Sequence, residues 1–304
     1  MTRRIRDGGG VAERNDSNPR RRRLGTELRK LRESAGYTTT TAAEEVEDFS
    51  QSKVSRLERG VAKPKVRDVQ ALAELYGADA ETVAALKELA RESKSTGWWH
   101  SAAQSLPDRF RPYVGYEAEA VQIKNFESYM VPGLLQTESY AREVFETAID
   151  ITPLEVEHRT DVRLGRQRRL TEAEPLQLWA VIDEIALRRE VGGPAVMYEQ
   201  LLYLVERAKL QSVAVQVIPL TELHGAPGHN FHLLTFEDSD DKPVLYVDTF
   251  SGGMATSNVS EIERASRLWE HLRGKALSRK RSVALIEDIA EELWAPGGSR
   301  RSTA

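Results

Sequence analysis

From Arg21 onward the apolar positions recur at helical spacing. Leu24, Leu28 and Leu31 stand at i, i+4 and i+7, and Gly36 closes the run as a left-handed C′ residue does, which predicts a helix over about 21–35. In "YTTTTAAEEVEDF", Thr38 or Thr39 can cap a second helix with a narrow apolar face of Ala42, Ala43 and Val46, kept short by four successive threonines. Ser50 caps a third helix ending at Gly60. A fourth, in "KPKVRDVQALAELYG", turns Val66, Val69, Leu72 and Tyr76 inward and stops at Gly77, and a fifth, about 80–94, buries Val83, Leu86 and Leu89. Five short helices jointed by Gly or Pro predict an all-α bundle over 21–95.

Past about Ser95 the texture changes. "GWWHSAAQSLPDRFRPYVGYEAEA" is aromatic and Pro-containing, which predicts a linker over 96–116 that docks onto the body. Short runs rich in Val, Leu and aromatics then predict strands at 176–183, 213–219, 231–236 and 244–248, with helices near 155–170, 194–209, 259–273 and 282–293. Residues 117–294 therefore read as an α+β domain with one sheet and packed helices. Residues 1–20 and 295–304 offer almost nothing apolar and are expected to be a disordered basic arm and a disordered tail.

Charge alters this picture. The 304 residues carry a formal net charge of −4, but residues 1–67 hold 17 Lys and Arg against 10 Asp and Glu. A basic N-terminal module is attached to an acidic body, so a polyanionic partner is expected for the first part only. There are no cysteines, which excludes disulfides, Cys-based metal centres and a thiol nucleophile, and suits a reducing cytoplasm. No run of about 18 apolar residues predicts a membrane span, and no signal segment is expected.

On a helical wheel, Ser50, Val54 and Leu57 fall together, while Gln51, Ser52, Ser55, Arg56 and Arg59 cover the opposite side and Lys53 lies on the flank. Amide, hydroxyl and guanidinium groups without an acid among them are the groups that read base edges. The alternative is a charged face that is merely solvated; the local positive excess, Lys63 and Lys65 beyond the helix and the Arg-rich arm before it favour DNA. The length from Thr39 to Gly60 fits two helices joined by a short turn, the second of which enters the major groove.

"GYTTTTAAEEVEDFSQSKVSRLERGVAKP" resembles the Cro/phage-repressor, or xenobiotic-response-element, type of helix-turn-helix, in which S-x-S-x-V-S-R-L-E-x-G spans the recognition helix. The resemblance implies base-edge contacts from Gln51, Ser52 and Arg56 with Lys53 and Ser55 close by, phosphate contacts from Thr39, Arg59 and Lys63, and a structural ion pair between Glu58 and Arg32. The turn "VEDFSQS" departs from the usual form by one additional residue. Further along, "GWWHS", "VPGLLQTESYAR", "RLGRQRRL", "LWAVIDEIALRREVGG", "YEQL" and "VQVIPL" resemble, in order, the C-terminal domain of WhiJ-like regulators of actinobacteria over about residues 21–293. That resemblance implies a cytoplasmic homodimeric regulator of a double-stranded DNA operator, responding to a small-molecule effector or to a small companion protein encoded nearby. An antitoxin-like protein that holds such a companion is the alternative.

Other residue groups are weaker signals. His224, His229 and His232 lie close in "HGAPGHNFH", a Gly/Pro loop whose spacing suits a flexible loop better than a metal site. Arg159, Arg163 and Arg166 recur at i, i+4 and i+7, either as a solvated face or as contacts for an anionic effector or acidic partner. Trp98 and Trp99 form a buried hinge or an exposed partner contact. Asp183, Glu184 and Glu190 lack a partnered base, "SGG" at 251–253 lacks a nucleophile elbow, and no phosphate or dinucleotide glycine pattern occurs, so neither catalysis nor a cofactor is expected.

Overall fold

The computed structural model describes residues 19–92, 110–149, 151–226, 230–237, 242–249 and 253–296. Most of the expected N-terminal arm and C-terminal tail, and the Trp98–Trp99 pair, lie outside the described residues.

The N-terminal unit consists of α1 (Pro19–Ser34), α2 (Thr39–Glu44), α3 (Gln51–Glu58), α4 (Val66–Leu75) and α5 (Ala80–Glu92). Their inward faces make one core of Leu24, Leu28, Ala42, Val54, Leu57, Val69, Leu72, Ala73, Tyr76, Leu86 and Ala90. Three helices stop in the same way. Gly36, Gly60 and Gly77 take positive φ of 78°, 69° and 75°. Beyond each, a backbone N–H reaches back to the helix: Tyr37 to Arg32 O, Val61 to Arg56 O and Ala78 to Ala73 O. These are Schellman stops, which need a residue without Cβ at the left-handed position.

Two contacts lock α3 onto α1. At Gly25, in the interior of α1, a Cβ would lie 2.4 Å from Glu58 O and 2.6 Å from Leu57 O. The residue is glycine because the last carbonyls of α3 press against it. About two turns further along α1, Arg32 donates through Nε and Nη2 to the two carboxylate oxygens of Glu58, at 2.6 and 2.9 Å, and through Nη1 to Tyr37 O at 2.8 Å. Both side chains are at least nine-tenths buried. The fork geometry meets the carboxylate in two parallel bonds, so the contact fixes rotation as well as distance.

The C-terminal unit opens with α6 (Arg111–Glu119) and β1 (Gln122–Glu127), followed by a 3₁₀ turn (Gly133–Leu135), α7 (Glu138–Glu146), α8 (Pro153–Gln167), β2 (Gln177–Asp183), α9 (Glu184–Arg188), α10 (Pro194–Arg207), β3 (Val213–Ile218), β4 (Phe231–Thr235), β5 (Val244–Val247), β6 (Met254–Thr256), α11 (Val259–Lys275) and α12 (Arg279–Ile289). The sheet order is β3-β2-β1-β4-β5-β6. β1, β2 and β3 run parallel; β4, β5 and β6 continue the sheet antiparallel. Alternation splits the strands between two cores. Ile123, Leu178, Ala180, Ile182, Val215, Val217 and Leu234 join the large core under α6, α10 and α12, while Phe126, Val181, Ile218, Phe231 and Leu233 face Ala265, Trp269 and Leu272 of α11.

The fold is thus a helical bundle followed by an α+β unit, with differences in detail from the sequence reading. The expected linker ends inside α6, whose Tyr113, Val114 and Tyr116 belong to the core. β1 was not expected as a strand, because "QIKNFE" alternates poorly, with polar residues on both faces; it nevertheless lies in the middle of the sheet. β6, α7 and α9 were also not expected, and two of the three have six or fewer residues.

Replacing Gly25 with Ala should destabilise the N-terminal unit by about 1–3 kcal/mol through overpacking, although Ala favours a helix interior by about 1 kcal/mol. Chemical denaturation followed by circular dichroism measures this, and a more stable variant would refute the close approach. Glu58→Ala leaves Arg32 buried and uncompensated, and its expected cost is about 3–5 kcal/mol.

Candidate nucleic-acid interface

α2 begins with a capping box, in which Thr38 Oγ1 accepts from Thr41 N and Thr41 Oγ1 accepts from Thr38 N. The chain leaves α2 after Glu44 and turns through Asp48, the single described non-glycine residue with positive φ, at 64°. A short polar side chain tolerates that conformation where a branched one would not. Ser50 then caps α3, its Oγ accepting from Lys53 N at 3.2 Å. α3 starts at Gln51, directly after this cap.

Val54 and Leu57 seat α3 in the core, at 0% and 4% exposure. Gln51, Ser52, Arg56 and Arg59 are exposed on its outer side, with Ser55 half-buried between them and Lys63 exposed beyond the helix. Gln51 Nε2 donates to Thr39 Oγ1 at 3.3 Å, which links the starts of α2 and α3 and draws two of the expected contacts into one surface. Arg59 Nε returns to Ser55 O in its own helix, at 3.3 Å. The single acid of α3, Glu58, is turned inward to Arg32, so the outer side is basic and polar throughout.

Lys53 differs from its neighbours. Its Nζ lies 2.9 Å from Asp68 Oδ2 on α4, 3.7 Å from the centre of the Phe49 ring and 3.4 Å from Asp48 O. Asp68 is 5% exposed and also accepts from Arg67 Nε at 3.3 Å. The ammonium expected beside the base edges is therefore held on the flank of α3 by a buried acid. Nothing in the local sequence marks Asp68 as its partner, since the two meet only once α4 has packed beside α3.

The arginine row of α8 points inward. Arg166 forms two bonds to Glu117 of α6, at 2.5 and 2.7 Å, with both residues buried. Arg163 donates to Gln136 Oε1 and stacks 4.3 Å over the Phe145 ring. Arg159 lies 3.8 Å from Glu155. Gln136 and Gln167, with Gln200 of α10, bond the backbone of residues 131–137, so the "VPGLLQT" stretch is held from three sides. The histidines do not converge. His224 Nε2 lies 2.6 Å from Asp183 Oδ2 and its ring meets Phe126 edge-on, whereas His232 sits on the other sheet face against Tyr113; His229 is outside the described residues. Among the described residues no group of three His, Cys, Asp or Glu is placed to hold a metal ion, and no helix is long and apolar enough to cross a membrane.

Comparison with known families agrees with this division. A helix-turn-helix domain model matches residues 23–86, which contain α2 to α4 with most of α1 and the first half of α5, and the model described as Domain of unknown function (DUF5753) matches residues 110–288. No curated protein and no solved structure matches the chain. Because the second match spans more than half of the 304 residues and begins at α6, the chain belongs to the DUF5753 family and carries a helix-turn-helix domain in front of it.

Proposed function

We propose that the protein is a sequence-specific, DNA-binding transcription regulator of the xenobiotic-response-element type. The observation that carries this reading is the outer side of α3: Gln51, Ser52 and Arg56 stand exposed on a helix fixed from behind by Gly25 and the Arg32–Glu58 pair. The major groove admits an α-helix, and such side chains discriminate base pairs there, Gln with adenine and Arg with guanine. Thr39, Arg59 and Lys63 supply phosphate contacts around that helix and make the affinity salt-dependent. Lys53 contributes little while Asp68 holds it.

The C-terminal unit is proposed to dimerise and to receive the signal, in the manner of WhiJ-like regulators, and to carry no catalysis. Two DNA-binding domains paired in this way select half-sites about one helical turn apart. Leu220, Leu223 and Ile185 are exposed after the carboxyl ends of β3 and β2, which supports a protein contact there, as a small companion protein would make. Co-expression with the product of the neighbouring gene and size-exclusion chromatography test it; a chain that elutes alone removes the companion from the reading.

For the DNA contacts, titration of a selected operator duplex is the test. Arg56→Ala and Gln51→Ala should each cost about 1–3 kcal/mol and relax preference at one position. Lys63→Ala should weaken all sequences alike and lower the salt slope by about 1. Asp68→Asn should do the reverse, freeing Lys53 and steepening the slope by about 1 with less discrimination. Unchanged affinity and preference in both α3 variants would remove the recognition assignment.

A further inference from the structure

On the face of the sheet that holds the large core, β1 presents Ile123, Asn125 and Glu127 in alternation. Asn125 lies opposite His232 of β4, and His232 opposite Tyr246 of β5, so a row of polar-tipped side chains crosses a core made mostly of Leu, Val and Ile. Glu127 follows at the carboxyl end of β1. Tyr113 packs over the row, its ring 4.8 Å from His232 and 4.5 Å from Tyr246, with its hydroxyl 3.3 Å from His232 Nδ1.

Most charges here are matched, but one is not. Arg166 and Glu117 cancel each other, and Arg163 is held by Gln136 and Phe145. Glu127 is 7% exposed and accepts a single hydrogen bond, from Asn125 Nδ2 at 3.2 Å. His232 Nε2, at 3.8 Å, is too distant to donate, and among the described residues no donor reaches the second carboxyl oxygen. A carboxylate can accept about four hydrogen bonds, and leaving it buried with one is costly. Asp248, exposed at the end of β5, adds a second acid that acts on Glu127. With Arg166 and Glu117 set aside, two acids face one cation, Arg163. The arrangement lacks a positively charged donor at Glu127.

We propose that this end of the sheet binds a small organic cation, a primary amine, whose ammonium group donates to Glu127, and that this is the signal received by the C-terminal unit. The proposal rests on the sensing role given above to that unit. An anionic ligand finds less here: Arg166 is already saturated by Glu117, and Arg163 donates through Nη1 to Gln136 and keeps only its buried Nε without a partner.

Protonation supports the geometry. Burial pushes the Glu127 carboxyl up to about 8, with Asp248 adding to the rise and the Asn125 bond and Arg163 opposing it. The other groups around it are Tyr140 of α7, Tyr113 and Glu117 of α6, Arg166 of α8 and His232 of β4; burial keeps His232 neutral by lowering it to about 4 and holds both tyrosines up. At neutral pH Glu127 therefore keeps its proton. An arriving ammonium replaces it: the carboxyl ionises, one proton leaves to solvent, and the amine stays charged. Affinity should then rise about tenfold per pH unit from the ordinary carboxylate range up to the free value near 8.

Isothermal titration of the full chain with butylamine and benzylamine, against the matched alcohols and carboxylates, tests this. Expected are saturable binding of an amine alone, about tenfold tighter at about pH 7 than at about pH 6, and release of about one proton, read from two buffers of different ionisation heat. Glu127→Gln, which should melt no lower than the parent at neutral pH, should abolish the binding, and Gln51→Ala should leave it intact. Alcohols binding as well as amines, pH-independent binding, no amine binding, or full binding in Glu127→Gln would each overturn the proposal. Operator affinity measured without amine tests the DNA reading separately, so the two can fail independently.

Discussion

Orientation of α3 is the constraint on which the outer surface of the helix-turn-helix unit depends. A helix of eight residues has too few hydrogen bonds to hold itself and must borrow rigidity from its neighbours. Here the borrowing occurs at both edges: the Arg32–Glu58 fork and the bare backbone of Gly25 fix it to α1, and Lys53 ties it to α4 through Asp68. Apolar burial of Val54 and Leu57 alone would permit the helix to roll or slide, since hydrophobic contact is non-directional. The polar ties remove that freedom, so the positions of Gln51, Ser52 and Arg56 are set mostly by buried residues, Gly25, Arg32, Glu58 and Asp68.

This division explains which features were legible in the sequence. The helices of the bundle were, because their apolar spacing, their caps at Thr38 and Ser50 and their glycine stops all act within one turn of chain. The Arg32–Glu58 pair came from resemblance, not from spacing. Gly25 was open to notice as an isolated glycine inside a helical pattern, a position that costs stability unless something presses on it. Asp68 was not, because an acid in the first turn of α4 already has an ordinary reason to be there in the helix dipole.

In the second unit the strands with continuous apolar runs were readable, and the middle strand was not. β1 carries Lys124, Asn125 and Glu127 where a buried strand normally carries Val or Ile. The mixed pattern concealed the element and, for the same reason, marks its polar end: side chains that spoil the alternation are those that do not serve packing. Its partners could not be read from the sequence either, since Asn125 meets His232 only through strand register, and Tyr113, 119 positions from His232, meets it only once α6 packs on the sheet.

The place of β1 in the sheet also bears on how the chain comes to be folded. Ile123 pairs with Leu178 on one side and with Leu234 on the other, so the central strand stays half-bonded until β4 has been synthesised. Long-range pairings of this kind are slow to form, whereas a bundle with local contacts folds quickly, and N-terminal domains complete first during synthesis. On the ribosome, the helix-turn-helix half is therefore finished while the other half still waits for its middle strand. A nascent or truncated chain thus carries a folded helix-turn-helix unit before the α+β unit behind it exists.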